Sequence, residues 1–248
     1  MPGQDKTDFG FETVSPEEKS RRVSHVFSSV ASRYDFMNDV MSLGVHRLWK
    51  RYAAHTAALK PGARVLDVAG GTGDMAALFH PQLEGKGSIV VTDINADMLN
   101  AGRDRLLDRG MSDVVFVQAD AEALPFANNS FDCISIAFGL RNVTDKERAL
   151  RSMFDCLRFG GRLLILEFSQ VALPVLRNVY NAYSFRLIPL LGRKLAGDED
   201  SYRYLVESIR MHPNQETMKS MMEEAGFSRV TYYNLSGGIV ALHTGYRL

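Results

Sequence analysis

This chain predicts an α/β fold built on a doubly wound, mostly parallel sheet, and three observations support it. Short apolar runs alternate with helical stretches from about residue 63 to residue 169, and strands joined through helices lie parallel with both faces covered. The first of these runs ends in glycines at the point where a helix follows. The last 21 residues, "SRVTYYNLSGGIVALHTGYRL", are two β-rich runs around Ser236-Gly237-Gly238, a hairpin signal that gives the sheet an antiparallel edge.

Taken in order, residues 1–14 read as a loose tail. Ser15-Pro16-Glu17-Glu18 then starts a helix, with Ser at the N-cap, Pro at the first turn and acids beside the helix dipole. Helical patterning continues with interruptions to about Leu59, where Pro61-Gly62 closes it. "ARVLDVAGG" is the first strand, "DMAALFHPQL" a helix, and "GSIVVTDIN" the second strand. "ADMLNAGRDRLLDRG" is a helix stopped by Gly110. "DVVFVQAD" and "FDCISIAF" are strands three and four, the latter ending at Phe138. "DKERALRSMFDCLRFGG" reads as a helix stopped by Gly160 and Gly161, and "RLLILEFS" as strand five. Residues 171–205 break the rhythm with apolar, aromatic and basic residues around Pro174 and Pro189, an insertion of helical pieces. The last helix is "NQETMKSMMEEAGF", capped by Asn214 and stopped by Gly226.

Composition narrows the partners. The 248 residues carry 29 basic and 29 acidic side chains, so no general electrostatic attraction to nucleic acid is expected. Cys133 and Cys156 have no metal-like spacing and read as buried thiols of a cytoplasmic protein, with no metal site. The polar, acidic start is unlike a signal peptide, and no apolar run reaches the ~18 residues of a membrane span.

The candidate site lies at the ends of the strands. In "LDVAGGTGDMA", Gly71, Gly73 and Ala76 fit G-x-G-x-x-G/A, which brings backbone and a helix N-terminus close to a ligand. Asp93 ends strand two, twenty residues beyond Gly73, where an acid accepts from both ribose hydroxyls. Asp120-Ala121 ends strand three where an adenine would lie, and Met98 is placed to pack on the base. There is no P-loop. NAD and S-adenosylmethionine both use ribose acids; Asp67 discriminates, because a carboxylate beside the turn repels a pyrophosphate and suits a sulfonium ligand with an ammonium group. Thr72 adds a hydroxyl. The D-x-A-x-G-x-G pattern with its ribose acid resembles class I S-adenosylmethionine-dependent methyltransferases, which implies a seven-stranded Rossmann-like sheet of order 3-2-1-4-5-7-6 with strand seven antiparallel.

Other segments resemble one family within that class. "YDFMNDVMSLGVHRLWK", "LEFS" with its acid Glu167, "FGLRNVTD", "DAEALPF" and "SYRYLVESIRMHP" are similar to the ubiquinone/menaquinone biosynthesis C-methyltransferases. The chain departs from that pattern at Cys156 to Gly161, where the family usually reads R-V-L-K-P-G-G, and at Ala137, a cofactor-contacting position where a serine is common. The resemblance implies one domain: a helical cap (15–60), a cofactor core (61–170), a helical substrate or membrane insertion (171–212), and a last helix with the hairpin (213–248). It implies methylation of a ring carbon on a polyprenylated quinol, with S-adenosylmethionine leaving as S-adenosylhomocysteine. Benzoquinol, naphthoquinol or both remain open as substrates.

An aromatic carbon attacks a methyl group well only when a ring hydroxyl becomes anionic, so the site must stabilise an oxyanion. Arg141, which follows a buried strand, is the candidate for that charge; Asn142 would orient the same oxygen or a water, and Tyr34 would donate a second hydrogen bond. The competing reading of Arg141 is an ion pair with Asp145 or Asp35. His46 and Trp49, three apart on one helical face, read as core contacts, and His212 before Pro213 as a loop former. The prenyl tail implies a membrane surface at the inner face, contacted through His46 to Tyr52 or Tyr183 to Lys194. Other quinone-biosynthesis enzymes and a second copy of the chain stand as further partners. A cofactor-binding protein without chemistry, an NAD-dependent oxidoreductase, and an O- or N-methyltransferase of another small molecule are the alternative readings.

Overall fold

The computed structural model describes residues 6–30, 39, 42, 44–171 and 199–248. Tyr34, Asp35 and the stretch from Tyr183 to Lys194 lie outside them. Strands β3 (Arg64–Val68), β4 (Ser88–Asp93), β5 (Val115–Gln118), β6 (Phe131–Ala137), β7 (Leu157–Phe168), β8 (Ser228–Leu235) and β9 (Val240–Tyr246) form one sheet. Its order is β5-β4-β3-β6-β7-β9-β8. Strands β3 to β7 run parallel, and β9 is antiparallel to both β7 and β8. This is the expected 3-2-1-4-5-7-6 topology.

Helices cover both faces because the central strands are apolar on both sides. Trp49 of α2 (His46–Ala57), Phe79 of α3 (Asp74–Phe79) and Leu106 of α4 (Ala96–Asp108) pack on one face with Leu205 of α6 (Glu199–Met211). Leu150 and Met153 of α5 (Lys146–Cys156) and Met218 and Met222 of α7 (Gln215–Glu224) fill the other. The caps follow local rules. Ser15 Oγ accepts from Glu18 N at the start of α1 (Pro16–Val30), and Asn214 Oδ1 accepts from Thr217 N at the start of α7.

Two expectations need correction. Residues 7–14 are not a loose tail: β1 (Thr7–Phe9) and β2 (Glu12–Val14) pair as a hairpin, and Phe11 N donates to Glu207 of α6 at 3.2 Å. So short a hairpin is stabilised by its tertiary contacts and leaves no periodic signal. Helix α5 ends at Cys156, not at Gly160. Leu157 already pairs with Phe131, and Gly160 N donates to Arg247 O, so sheet pairing captures the segment that local sequence marks as a helix end.

Helix α4 lies against the glycine-rich turn with no room to spare. A Cβ on Gly102 would sit 2.5 Å from the Gly71 carbonyl oxygen, a backbone atom that cannot step aside. Gly102→Ala is expected to push α4 off the turn and cost about 1–3 kcal/mol of stability. Chemical denaturation would show it, and an unchanged midpoint would mean the helix shifts freely.

Candidate active site

The carboxyl ends of β3, β4, β5 and β6 open into a cavity of about 620 Å³ walled on its far side by α1, a size ordinary for a small-molecule site. Gly71, Asp93, Met98, Asp120, Ala121 and Asn142 all stand on its wall. The topology therefore gathers most of the expected residues into one crevice, where open α/β sheets bind ligands.

Gly71 and Gly73 hold φ of 50° and 76°, and Gly73 caps α3. The positive φ of Gly71 favours glycine, and a Cβ there would lie 2.9 Å from Met98 Cε, so the methionine closes directly on the turn. Gly73 faces Leu106 instead of the cavity, and Ala76 is fully buried, so the second and third motif positions serve helix packing. Thr72 also points away: its Oγ1 accepts from Arg105 at 3.2 Å, and Arg105 pairs with Asp74 at 2.7 Å. Ala137 pairs in the sheet with Leu166 and is not among the wall residues. Strand β6 ends there, one residue before Phe138, which takes φ 58°. Ala69 at the end of β3 takes φ 50°. Two non-glycine residues in left-handed conformation on the cavity wall mark the strain that functional sites hold.

The carboxylates are arranged for different tasks. Asp93 Oδ2 accepts from Gly71 N at 3.1 Å and Oδ1 from Asn95 N at 2.9 Å. Burial pushes its pKa up to about 6 against those hydrogen bonds. Asp67 is deeper. Its Oδ1 accepts from Ser135 Oγ at 2.7 Å, and its Oδ2 is buried with no hydrogen-bond partner. Burial pushes its pKa up to about 7, opposed by Ser135 and by the Lys50 charge. An orphaned buried carboxylate oxygen costs free energy that a cationic group returns, and this fits a sulfonium ligand with an ammonium group. Asp120 caps the turn at Ala121–Ala123 through Glu122 N at 2.9 Å while still lining the cavity.

At the other end, Arg141 is buried and pairs with Glu167 at 2.9 Å. It also donates to the Phe138 carbonyl and lies over the Phe168 ring at 5.6 Å. Its partner is neither of the acids expected from sequence: Asp145 caps α5 through Arg148 N, and Asp35 lies outside the described residues. Glu167 reaches it because β7 runs beside β6, a neighbour relation invisible in sequence. Arg141 is absent from the cavity wall, but its Nε is a buried donor without an acceptor.

Trp49 and His46 are buried, as their shared helical face implies. The His46 to Tyr52 stretch therefore divides between a buried and an exposed face. Trp49 packs on Phe138 and Phe168 and donates to Ser236, and Lys50 pairs with Asp74 at 2.6 Å, leaving Leu48 and Tyr52 as the exposed apolar residues. His212 is more than a loop former: it is buried, and desolvation holds its pKa well below the usual histidine range.

Sequence reasoning missed Asn95, whose Oδ1 caps α4 at Met98 N and whose Nδ2 donates to Ser24 O and Ser28 Oγ, tying α1 over the crevice. An Asn three residues before a helical Met was the available signal. Tyr204, which reaches Asn142 from α6, had no local signal.

Comparison with known proteins agrees with this geometry. The model of the ubiE/COQ5 methyltransferase family matches residues 15–247. A ubiquinone/menaquinone biosynthesis C-methyltransferase of Vibrio cholerae is 58% identical over 245 residues, covering 98% of this chain and 94% of that protein. One from Methylococcus capsulatus is 56% identical, covering 98% and 99%. Among solved structures, a SAM-dependent methyltransferase from Aquifex aeolicus shares the fold with a TM-score of 0.62 at 15% identity, covering 86% of this chain and 97% of its own. A SAM-dependent methyltransferase from Thermotoga maritima gives 0.64 at 19%, covering 90% and 99%. The family match takes in the cap, both walls of the crevice and the terminal hairpin together, and the relatives agree with it over nearly their whole length: the chain belongs to the ubiE/COQ5 methyltransferase family.

Proposed function

We propose that this chain methylates a ring carbon of a polyprenylated quinol in ubiquinone and menaquinone biosynthesis, using S-adenosylmethionine. The observation that carries the cofactor reading is Asp67 Oδ2, buried and unpaired beneath the glycine turn. The pathway and transfer to carbon come from relatives of 56–58% identity whose names state C-methylation in ubiquinone/menaquinone biosynthesis.

Asp67 would hold the cationic end of the cofactor, Asp93 the ribose hydroxyls, and Asp120, Ala121 and Met98 the adenine. When bound, the cofactor supplies an electrophilic methyl group. The protein's own task is to make the ring carbon nucleophilic and keep it in line. Asn142 stands on the cavity wall beside Gly139, and its neighbour Arg141 carries the unpaired Nε. Both are donors suited to a quinol oxygen as it becomes anionic. Glu167 already balances Arg141, so the arginine is a held donor more than a free charge. Helix α1 closes the far wall and excludes water, and Tyr34, beyond the described residues, remains a proposed second donor.

No described helix is long and apolar enough to cross a membrane. The prenyl tail is proposed to be met at a membrane surface through residues 183–194. Charging that stretch should reduce liposome association; unchanged partitioning would assign it to a lid.

The direct test is transfer of labelled methyl from S-adenosylmethionine to a short-chain quinol, with the position of the label read by mass spectrometry. Label on carbon is expected; label on oxygen would replace this reading with O-methylation.

Cofactor binding should also depend on pH. Asp67 must be ionised to receive a cation, and with its pKa near 7 affinity should rise about fivefold from pH 6 to pH 7. Asp67→Asn should remove most of that dependence. Stability of the free chain moves the other way. A carboxyl whose folded pKa is raised contributes stability below its unfolded value, and that contribution is lost as pH rises through the folded one. The melting temperature of the free chain measured against that of Asp67→Asn should fall as pH rises toward 7, a difference in which the opposite contribution of the buried histidines cancels.

A further inference from the structure

Helix α6 brings one more residue to the substrate end of the crevice. Tyr204 is buried in a small cluster with Val23, Phe27 and Met98. Its ring stacks on Phe9 of the N-terminal hairpin, with centroids 4.1 Å and planes 15° apart. The hairpin is anchored to the same helix through Phe11 N and Glu207. The Tyr204 hydroxyl reaches Asn142 at 3.0 Å.

The Tyr204 hydroxyl fixes which way the asparagine faces. Burial pushes the Tyr204 pKa up, with Arg141 opposing and Glu167 adding to it, so the hydroxyl keeps its proton. A buried hydroxyl proton must have an acceptor, and Asn142 is the partner that the structure provides. The atom facing Tyr204 is therefore the amide oxygen, since the amide nitrogen only donates. That leaves Asn142 Nδ2 at the opposite end of the amide, on a residue of the cavity wall, with no acceptor among the described residues. Without the tyrosine that bond no longer holds the amide, and a turned-over amide would present its oxygen to an oxyanion.

We propose that Tyr204 is a positioning residue for methyl transfer: its hydroxyl locks the Asn142 amide so that the NH₂ group faces the substrate and donates to the quinol oxygen that becomes anionic. This rests on the role given to Asn142 above and adds the element that makes Asn142 a donor. The Phe9 stack and the Glu207 contact set the height of α6, so the hairpin holds the tyrosine at hydrogen-bonding distance.

The test is a double-mutant cycle in the full chain, assayed with S-adenosylmethionine and a short-chain prenylated quinol lacking the ring methyl group. Tyr204→Phe keeps the stack on Phe9 and removes one hydrogen bond, so kcat should fall about tenfold with the quinol KM, the cofactor Kd and the melting temperature little changed. Asn142→Ala should fall further, by about 100-fold. The double variant should be no slower than Asn142→Ala, because the hydroxyl acts only through the amide. Asn142→Asp, which accepts from Tyr204 but offers no donor, should be as slow as the alanine variant. Tyr204→Phe at the wild-type rate, or multiplicative losses in the double variant, would overturn the positioning role while leaving Asn142 in place. Asn142→Ala at the wild-type rate would overturn the reading of the site itself.

Discussion

Replacing Asp93 with alanine should weaken S-adenosylmethionine binding by about 100- to 10,000-fold. Two hydrogen bonds from ribose hydroxyls to a carboxylate are worth about 1.5–3 kcal/mol each, and every 1.4 kcal/mol is a factor of ten. The same carboxylate also holds the protein together locally. It accepts from Gly71 N and Asn95 N, so its loss frees the glycine turn and the residue that caps α4 and pins α1. Asp93→Asn keeps one acceptor oxygen and should fall between wild type and alanine. Calorimetric titration separates the cases, and an affinity within threefold of wild type for Asp93→Ala would remove Asp93 from the cofactor site.

Arg141→Ala should lose both stability and turnover, for separable reasons. Glu167 would be left buried without its cation, a loss of about 3–5 kcal/mol. At about 2–4 °C per kcal/mol for a chain of this size, the melting temperature should drop by about 10 °C. Turnover should fall about 100-fold or more, as for removal of an oxyanion donor. The double variant Arg141→Met with Glu167→Leu takes out both charges at similar volume and should recover most of the stability. Its turnover should stay low. Recovery of activity along with the fold would show that the pair is only structural and that Asn142 carries the oxyanion without it.

The two variants probe ends of the crevice that differ in how far sequence announces them. At the cofactor end, Gly71 and Asp93 are legible because each task is local: a turn that needs positive φ and an acid at a strand end. Asp67 is legible as a charge where a pyrophosphate would be repelled. Thr72 and Ala137 read from sequence as part of the same site, yet one is turned to Arg105 and the other is held in the sheet. Which way a side chain points depends on neighbours from other elements. At the substrate end almost nothing is local. Glu167 lies 26 residues from Arg141 and Tyr204 lies 62 from Asn142.

The sequence by itself determined the alternation of strands and helices, the terminal hairpin, the cofactor crevice and, through its motifs, the family. These rest on periodicity, glycine conformation and residue chemistry, which act over a few residues. Tertiary structure decided that residues 7–14 form a hairpin, that α5 stops at Cys156, that Trp49 and Lys50 face inward, and that Arg141 answers to Glu167. Each of those outcomes is set by what packs or pairs from a distant part of the chain. A weak local preference of a few tenths of a kcal/mol yields to burial of an aromatic ring or neutralisation of a buried charge, which are worth several times more.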